Sequence, residues 1–299
     1  MKILLLGKNG QVGWELQRAL APLGTLISLD RSQLNLSDAD ALRYVIRQHK
    51  PDWLVNAAAY TAVDKAETDQ ANAYAINAEA LAVMAQEIFN LGAWLLHYST
   101  DYVFDGNKEG FYKETEEVNP LSIYGKSKLA GERSIIDSGC NHLIFRTSWV
   151  YATRGANFAK SMLRLFAERE QLNIVADQQG APTSAELIAD VSALCLRQIA
   201  QAKDTDPLDL SGIYHLVAKG ATTWFDYAEY ILSKAKEGPN GVSIQCREIH
   251  PIPSSAYPVA ATRPLNSKLC VDKIEQAFGV VLSEWHYHCD RMLQEVLFR

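Results

Sequence analysis

The sequence predicts an α/β protein built on a parallel sheet, and three features of the chain carry this prediction. Short apolar runs alternate with longer segments in which apolar residues recur every three or four positions. The first of these runs leads directly into a glycine-rich turn. The chain has 299 residues, of which 48% are hydrophobic, so it is long enough to bury a sizeable core.

The predicted strands and helices alternate in order along the chain, as in successive βαβ units. The predicted strands cover residues 2–6, 25–30, 53–59, 93–100, 143–151 and 172–175. The predicted helices are one with Val12, Leu16 and Leu20 on a single face, one carrying Leu42, Val45 and Ile46, and others over residues 71–90, around Tyr124, over 157–169 and over 184–201.

The pattern changes beyond residue 204, and this change predicts a second, smaller lobe. A polar stretch with a proline, residues 203–212, is followed by short mixed elements, and residues 250–264 contain several prolines that indicate an ordered loop. We expect residues 1–150, with 172–203 returning to them, to form the first domain. Residues 151–171 and 204–299 are then assigned to the smaller lobe.

Charge and composition exclude several classes of protein. A net charge of −6 and a pI near 5.7 argue against nucleic acid as a partner. The five cysteines are scattered and include no C-x-x-C pair, which favours reduced thiols over a disulfide framework or a zinc site. No apolar stretch approaches the roughly 18 to 20 residues of a membrane helix, and the N-terminal apolar run is too short for a signal peptide. We therefore expect a cytoplasmic protein with no membrane partner.

A glycine loop after the first strand predicts a dinucleotide site. Gly7, Gly10 and Gly13 stand three apart where the strand passes into the first helix. Glycines there allow a tight turn and let a diphosphate approach the helix N-terminus. Asp30, at the end of the second strand, is placed to bind ribose hydroxyls and favours NADH, whereas Arg31 beside it offers a guanidinium to the 2′-phosphate of NADPH. The fold predicted is thus a Rossmann-type, doubly wound parallel sheet.

A tyrosine and a lysine four residues apart, Tyr124 and Lys128, predict an acid–base site. On a helix this spacing stacks the two side chains on one face, and an ammonium near a phenol lowers the pKa of the phenol. The alternative is a surface pair without a function. Together with the glycine spacing, the pair resembles the extended short-chain dehydrogenase/reductase family. That resemblance implies that Tyr124 protonates a carbonyl oxygen, that Lys128 also holds the nicotinamide ribose, and that Thr100, with Ser99 as the second choice, orients the carbonyl.

Longer motifs resemble one branch of that family, the dTDP-4-dehydrorhamnose reductases, over nearly the full length. These motifs are GKNGQVGWEL (7–16), VNAAAYTAVDKAE (55–67), HYSTDYVFDG (97–106), YGKSKLAGE (124–132), RTSWVY (146–151), DQQGAPT (177–183) and TRPLNSKL (262–269). The resemblance implies reduction of the C4 ketone of dTDP-4-dehydro-L-rhamnose by NADH or NADPH, giving dTDP-L-rhamnose for cell-surface polysaccharide. The smaller lobe is then the sugar-nucleotide lobe.

The resemblance also implies the residues that bind the ligands. Asn35 stands where the family often has an aspartate against adenine, and its amide oxygen can still accept a hydrogen bond. The implied cofactor residues are Gly7, Gly10, Gln11, Val12, Gly13, Asp30, Arg31, Asn35, Leu36, Ala57, Ala58, Ala59, Tyr60, Thr61, Tyr98, Tyr124 and Lys128. The implied substrate residues are Thr100, Asp101, Tyr124 and Trp149, with Arg263 as a clamp on the diphosphate or, equally, as one partner of an interdomain salt bridge.

A magnesium site between the subunits of a homodimer is a further implication of the resemblance. The matching positions are Glu15, Glu186 and Glu295, which from their residue type alone are solvated helix positions. The proposed chemistry needs no metal, because the tyrosine and lysine supply the proton.

Alternative functions remain open at this stage. A 4,6-dehydratase carries an Asp–Glu pair after the strand-end threonine, whereas Thr100 is followed here by Asp101 and Tyr102. A reductase of a related dTDP-keto sugar is a closer alternative. A non-catalytic regulatory subunit of the same fold, like the β subunit of methionine adenosyltransferase, is the alternative from a different class, although the chain retains Thr100, Tyr124 and Lys128.

Overall fold

The computed structural model describes residues 1–202, 207–237 and 244–297. The strands are β1 (Lys2–Leu6), β2 (Thr25–Leu29), β3 (Trp53–Asn56), β4 (Trp94–Thr100), β5 (Asn141–Thr147), β6 (Val150–Tyr151), β7 (Gln171–Val175), β8 (Gln179–Gly180), β9 (Thr183–Ser184), β10 (Gly212–His215), β11 (Thr222–Thr223) and β12 (Glu248–Ile252). The helices are α1 (Gln11–Leu20), α2 (Ala39–His49), α3 (Val63–Ala66), α4 (Gln70–Tyr74), α5 (Ala80–Leu91), α6 (Ile123–Asp137), α7 (Phe158–Glu168), α8 (Ala185–Gln201), α9 (Trp224–Glu237), α10 (Asp272–Phe278) and α11 (Trp285–Leu297).

A six-stranded parallel sheet forms the centre of the structure, in the order β10-β5-β4-β3-β1-β2. The strand order reverses direction at β1, since β2 lies on one side of β1 and β3 on the other. In open α/β sheets, ligands bind outside the carboxyl ends of the strands at such a switch point. The predicted α/β class and doubly wound sheet are confirmed.

Helices cover both faces of this sheet, which explains why its strands are apolar at successive positions instead of alternating with polar residues. Ile3 and Leu5 of β1 belong to a core cluster on the side of α1 and α8, whereas Leu4 and Leu6 belong to a second cluster on the side of α2 and α5. All four side chains are almost completely buried. The apolar run that predicted the first strand is therefore buried from both sides.

The predicted helix over 71–90 is interrupted by a π-helical turn, Ala75–Glu79, between α4 and α5. Asn77 in this turn is buried, and its side chain binds the backbone N–H and C=O of Tyr60 and the hydroxyl of Ser127 on α6. Turns of this kind are frequent near functional sites. Here the turn connects the loop after β3 to the helix that carries Tyr124.

Among the described residues, three two-stranded sheets lie outside the central one and connect segments that are distant in sequence. β7 pairs in parallel with β12 and β6 in parallel with β9, whereas β8 and β11 are antiparallel. The loop predicted over 250–264 is wrong at its start, because His250 to Ile252 form the end of β12. Pro251 is tolerated there because the strand has a partner on one side only.

The predicted domain boundaries stay a prediction, although two pairings bear on them. β10, from the later segment of the chain, is the edge strand of the central sheet, whereas residues 171–175 pair with β12 outside it. α8 packs on α1, as expected for a segment that returns to the first domain. The polar stretch 203–212 lies partly outside the described residues. Within the residues described, no helix is sufficiently long and apolar to cross a membrane.

Candidate active site

A cavity of about 610 Å³ opens at the carboxyl ends of β1 and β3 and extends past the end of β4. It has the position and the size expected for a ligand at the switch point of a doubly wound sheet. Two buried hydroxyls that line it, those of Ser99 and Thr147, have no hydrogen-bond partner within the described part of the chain. Orphaned buried hydroxyls facing a cavity fit a polar ligand, because an unpaired polar group is costly.

The glycine loop forms one end of the cavity. Gly7 has a φ of +86°, in the left-handed region that favours glycine, and its N–H donates to Leu29 O at 2.9 Å. A Cβ on Gly13 would lie 2.0 Å from the Gly7 carbonyl oxygen, so α1 can pack this closely on the turn only with glycine there. α1 begins at Gln11 after Gly10, without a side-chain cap, which leaves its first N–H groups for an anionic ligand.

Asp30 lies at the outer end of the cavity, directly after β2. Its carboxylate accepts hydrogen bonds from the side chain and backbone of Ser32 and, at 2.9 Å, from Asn9 Nδ2, while Lys8 Nζ lies 3.5 Å away. The hydrogen bond from Ser32 is the largest of the effects that lower the pKa of Asp30. An ionised carboxylate here suits two ribose hydroxyls, and the neighbouring cations Lys8 and Arg31 suit an added phosphate.

The adenine end and the loop after β3 complete this part of the cavity. Asn35 and Leu36 line it, but Asn35 Oδ1 already accepts from the Ser37 N–H at 3.2 Å. Ala57, Ala58, Ala59 and Thr61 line it as well, whereas Tyr60 does not. The Tyr60 hydroxyl instead donates to Asp69 at 2.9 Å, outside the cavity. The predicted contact of the Tyr60 side chain with a cofactor therefore has no geometric support.

Thr100, Tyr124 and Lys128 come together at the inner end of the cavity. Thr100 ends β4, while Tyr124 and Lys128 lie one turn apart near the start of α6, whose N-cap Ser122 accepts from the Gly125 N–H at 3.1 Å. Thr100 Oγ1 donates to Asp101 Oδ1 at 3.0 Å and accepts from the Tyr102 N–H. The position of Thr100 favours it over Ser99, because Thr100 lies close enough to the Tyr124 phenol to lower the pKa of that phenol.

The pKa values at this end differ from the expectation for a tyrosine–lysine pair. Burial raises the pKa of Tyr124 to about 12, and the hydrogen bond to Thr100 opposes this rise. The side-chain nitrogen of Lys128 contacts Tyr98 O at 2.6 Å and His97 Nε2 at 2.9 Å. Burial lowers the pKa of Lys128 to about 7. The lowered pKa of the phenol that the spacing predicted is therefore not observed in this arrangement, where burial is the largest effect on Tyr124.

The substrate residues predicted from the sequence divide into two groups. Asp101 and Trp149 line the cavity beside Tyr124, and burial raises the pKa of Asp101 to about 6 despite its hydrogen bonds to Ser267 and Thr100. Arg263 does not line it and donates to Asp64 Oδ2 at 2.8 Å. Asp64 lies on α3, in the segment predicted as the first domain, so the observed contact is the salt bridge that the sequence left open as the alternative to a diphosphate clamp.

The three glutamates predicted to hold a metal are bound to other side chains. Glu15 pairs with Arg18 at 3.4 Å, Glu186 lies 3.5 Å from Arg291, and Glu295 accepts from Thr153 at 3.2 Å. Among the described residues, no three acidic, histidine or cysteine side chains are grouped as a metal site requires. The residues of one chain therefore do not fit a resident magnesium ion, and no step of the reaction is assigned to one.

Sequence reasoning missed two residues that shape the inner end of the cavity. His97, which contacts Lys128, belongs to the same HYST motif as Thr100. Its position in that motif, two residues before Ser99, could have identified it as a candidate residue of the site. Trp224 lines the cavity and stacks on Trp149, although it lies far away in the sequence. No local pattern distinguishes Trp224 from an ordinary first residue of a helix.

Comparison with known proteins gives full-length matches. The family model described as the RmlD substrate binding domain matches residues 1–298. The chain is 48% identical to the dTDP-4-dehydrorhamnose reductase of Escherichia coli (strain K12), over 99% of this chain and 98% of that protein. Two solved structures are also similar.

The first is a dTDP-4-dehydrorhamnose reductase of Clostridium acetobutylicum, with 34% identity, a TM-score of 0.87 and coverage of 100% of this chain and 99% of that one. The second is the dTDP-4-dehydrorhamnose reductase of Bacillus anthracis in complex with NADP, with 31% identity, a TM-score of 0.85 and the same coverage of 100% and 99%.

Proposed function

Because this chain belongs to the RmlD substrate binding domain family, whose full-length relatives are dTDP-4-dehydrorhamnose reductases, we propose that it is an NAD(P)H-dependent reductase of the same substrate. It reduces the C4 ketone of dTDP-4-dehydro-L-rhamnose to the alcohol of dTDP-L-rhamnose, a nucleotide sugar for cell-surface polysaccharide. The observation that carries the proposal is the meeting of Thr100, Tyr124 and Lys128 in one cavity with the glycine loop.

Binding of the dinucleotide follows from the outer part of the cavity. The N–H groups at the start of α1, at Gln11 and Val12, bind the diphosphate, and Asp30 accepts hydrogen bonds from the adenosine ribose. Lys8 lies 3.5 Å from the Asp30 carboxylate and offsets part of its charge, and Arg31 lines the cavity next to Asp30. We therefore propose that the chain uses both NADH and NADPH, with Asp30 favouring NADH and the two cations reducing that preference.

The chemical step needs a hydride and a proton at the carbonyl group of the sugar. A bound nicotinamide cofactor supplies the hydride to the carbonyl carbon. The Tyr124 hydroxyl supplies the proton to the carbonyl oxygen, so the C=O bond becomes an alcohol and Tyr124 becomes a phenolate. Thr100 orients the same oxygen, because its hydroxyl lies against the phenol at the end of β4.

Lys128 stabilises the phenolate at the moment when it forms. Its ammonium has three N–H donors, and the protein occupies two of them with Tyr98 O and His97 Nε2. The third is left for the cavity side, where the ribose hydroxyls and the phenolate lie. A buried cation raises the free energy of the empty site but lowers that of the charged transition state.

The assay that tests this proposal uses dTDP-4-dehydro-L-rhamnose generated in place by its upstream enzymes. We expect loss of nicotinamide absorbance with both cofactors, matched mole for mole by dTDP-L-rhamnose in the product analysis. Unchanged absorbance from a chain that demonstrably binds the cofactor would contradict the proposal. A related keto sugar or a regulatory role would then be the better interpretation.

Assembly, metal content and location belong to the same proposal. We propose a homodimer through the surface that carries Glu15 and Glu186, where burial and, to a smaller extent, the nearby carboxylates of Glu186 and Asp190 raise the pKa of Glu15. Any magnesium would then depend on groups from both subunits. Sedimentation with and without EDTA tests both points. A dimer that persists in EDTA would show that assembly does not depend on a bound magnesium ion. The free and mostly buried cysteines support a reducing compartment, the cytoplasm.

A further inference from the structure

Lys128 has two protein partners, and both belong to β4. The nitrogen lies 2.6 Å from the Tyr98 carbonyl oxygen and 2.9 Å from His97 Nε2, and Lys128 is 1% exposed. His97 lies on the face of β4 directed to α6, because its neighbours Leu96 and Tyr98 belong to the core on the opposite face. The imidazole therefore fixes the lysine from the side away from the cavity.

A second contact fixes the other side of the imidazole. Asn56, at the end of β3, lies opposite His97 in the sheet, with its Nδ2 at 3.2 Å from His97 Nδ1. Asn56 Oδ1 accepts from the Ala58 N–H at 3.1 Å, and this bond directs the NH₂ group of the amide to the imidazole. Asn56 and His97 are each 1% exposed, so water does not compete for these contacts.

These contacts couple the charge of Lys128 to the tautomer of His97. If Nδ1 accepts from the Asn56 amide, the ring proton is on Nε2, which suits only a neutral amine on Lys128. If Lys128 is an ammonium, Nε2 must accept, and the ring proton moves to Nδ1, the side of the ring that faces Asn56. Each charge state of the lysine therefore requires a different tautomer.

We propose that His97 is a positioning residue that controls the charge and the direction of Lys128 through this choice of tautomer. The inference rests on the proposed function, because Lys128 is the residue assigned there to the phenolate and the ribose. Burial and the nearby Lys128 hold the pKa of His97 well below its usual range, which keeps the ring neutral in both states.

The other charged groups around Lys128 do not replace this control. Glu132, one turn along α6, raises the pKa of Lys128, but its carboxylate accepts hydrogen bonds from Nε and Nη2 of Arg146 on β5 at 3.0 and 2.7 Å. Tyr124 and Asp101 lie on the cavity side. The pKa of Lys128 falls to about 7 through burial even so, which places its change of charge near neutral pH.

The test is an NMR titration of the chain labelled with [¹³Cε]lysine, in which the Lys128 signal is assigned from its loss in Lys128→Met. His97→Gln supplies an amide oxygen that accepts from the ammonium without a tautomer change, whereas His97→Leu removes the acceptor. We expect the midpoint of Lys128 to rise in His97→Gln and to fall in His97→Leu, each by about one pH unit, the size of one hydrogen bond to a charged group.

A second measurement follows the consequence for cofactor binding. NADH affinity, read from the fluorescence of the bound cofactor near the wild-type midpoint, should fall several-fold in His97→Leu and be retained in His97→Gln. His97→Met serves as the apolar variant if His97→Leu does not fold. Equal midpoints in all variants, or shifts in the same direction, would overturn the inference, because a purely structural role predicts no opposite shifts.

The titration needs neither substrate nor cofactor, so the two proposals fail separately. A wild-type chain that does not reduce the sugar nucleotide, while its Lys128 midpoints still diverge, would remove the proposed function and keep the coupling. A chain that is an active reductase with unchanged midpoints would keep the function and remove the role of His97.

Discussion

Trp224 lies on Trp149 with the ring centroids 3.6 Å apart and the planes 11° apart. Both indoles line the cavity beside Tyr124, and Trp224 Nε1 donates to Gln178 at 3.2 Å. Trp149 has a φ of +48°, a costly conformation for a bulky residue that its surroundings must maintain. The stack therefore holds a strained tryptophan in place at the end of the cavity that we propose for the sugar.

Trp224→Ala should weaken sugar binding without changing cofactor binding. Loss of the stacked ring frees Trp149 to leave its strained conformation, and an aromatic pair of this kind is worth about 0.5–1.5 kcal/mol. We expect the KM for the sugar nucleotide to rise roughly two- to tenfold, measured by initial rates at saturating NADH. Trp224→Phe is the control that keeps an aromatic ring, and an unchanged KM in Trp224→Ala would show that the stack has no role.

Tyr124→Phe should remove most turnover and leave cofactor affinity nearly intact. The phenol is the proton donor in the proposed step, and general acid catalysis contributes roughly 10²–10⁴-fold to kcat. Stopped-flow rates and a fluorescence titration with NADH separate the two effects. Tyr214→Phe, which removes a buried hydroxyl outside the cavity, should retain the wild-type rate. Full activity in Tyr124→Phe would refute the assigned proton donor.

Asp30→Ala should reduce the discrimination between NADH and NADPH. The carboxylate accepts hydrogen bonds from the ribose hydroxyls and repels a 2′-phosphate. Its loss should therefore weaken the binding of NADH and strengthen the binding of NADPH. We expect the ratio of the two KM values to change by about tenfold, the effect of one charged hydrogen bond. Asp40→Ala removes an exposed carboxylate on α2 that pairs with Arg43, and it should leave the ratio unchanged. An unaltered ratio in Asp30→Ala would mean that other groups bind the ribose.

Gly13→Ala should destabilise the chain, because its Cβ would lie 2.0 Å from the Gly7 carbonyl oxygen. Relief of that overlap moves α1 away from the turn and costs about 3 kcal/mol of unfolding free energy. Gly10→Ala places its Cβ at 3.4 Å from the same oxygen, so its cost should stay below about 1 kcal/mol. Urea denaturation of both variants gives the comparison, and equal stabilities would contradict the close approach of α1.

Asp101 makes the stability of the chain depend on pH in a defined window. Its pKa is raised by burial to about 6, above the usual 3.8, so the folded chain binds more protons than the unfolded chain between these values. Stability relative to Asp101→Asn should therefore fall as pH rises from about 4 to about 6, by roughly 3 kcal/mol in total. Above about pH 6 the difference in unfolding free energy between wild type and Asp101→Asn should be constant.

Urea denaturation of wild type and Asp101→Asn at several pH values measures this difference. The variant also changes the hydrogen bonds to Ser267 and Thr100, but that contribution is the same at each pH. A stability difference that does not vary between about pH 4 and about pH 6 would show that the pKa of Asp101 is not raised in the folded chain.

Much of the fold follows from local sequence. The apolar runs that predicted β1, β3, β4 and β5 are largely buried, whereas β2 at the edge of the sheet is partly exposed. The glycine spacing predicted the turn into α1, because close packing of that helix tolerates no side chain at Gly13. The pairing of β7 with β12 was not predictable in this way, since neither strand carries a signal for a partner so far along the chain.

The residue types of the site could be found in the sequence, because Gly7 lies in a strand-to-helix loop, Asp30 follows a predicted strand, and Tyr124 and Lys128 stand one helical turn apart. Thr100 was identified from the resemblance to the reductase family. Their charges and contacts depend on neighbours that folding brings from distant segments. Lys128 meets His97, which in turn meets Asn56, and Trp149 meets Trp224, all across different elements. A pKa depends on burial and on the groups in contact with the side chain, and both come from three-dimensional packing, not from spacing along the chain.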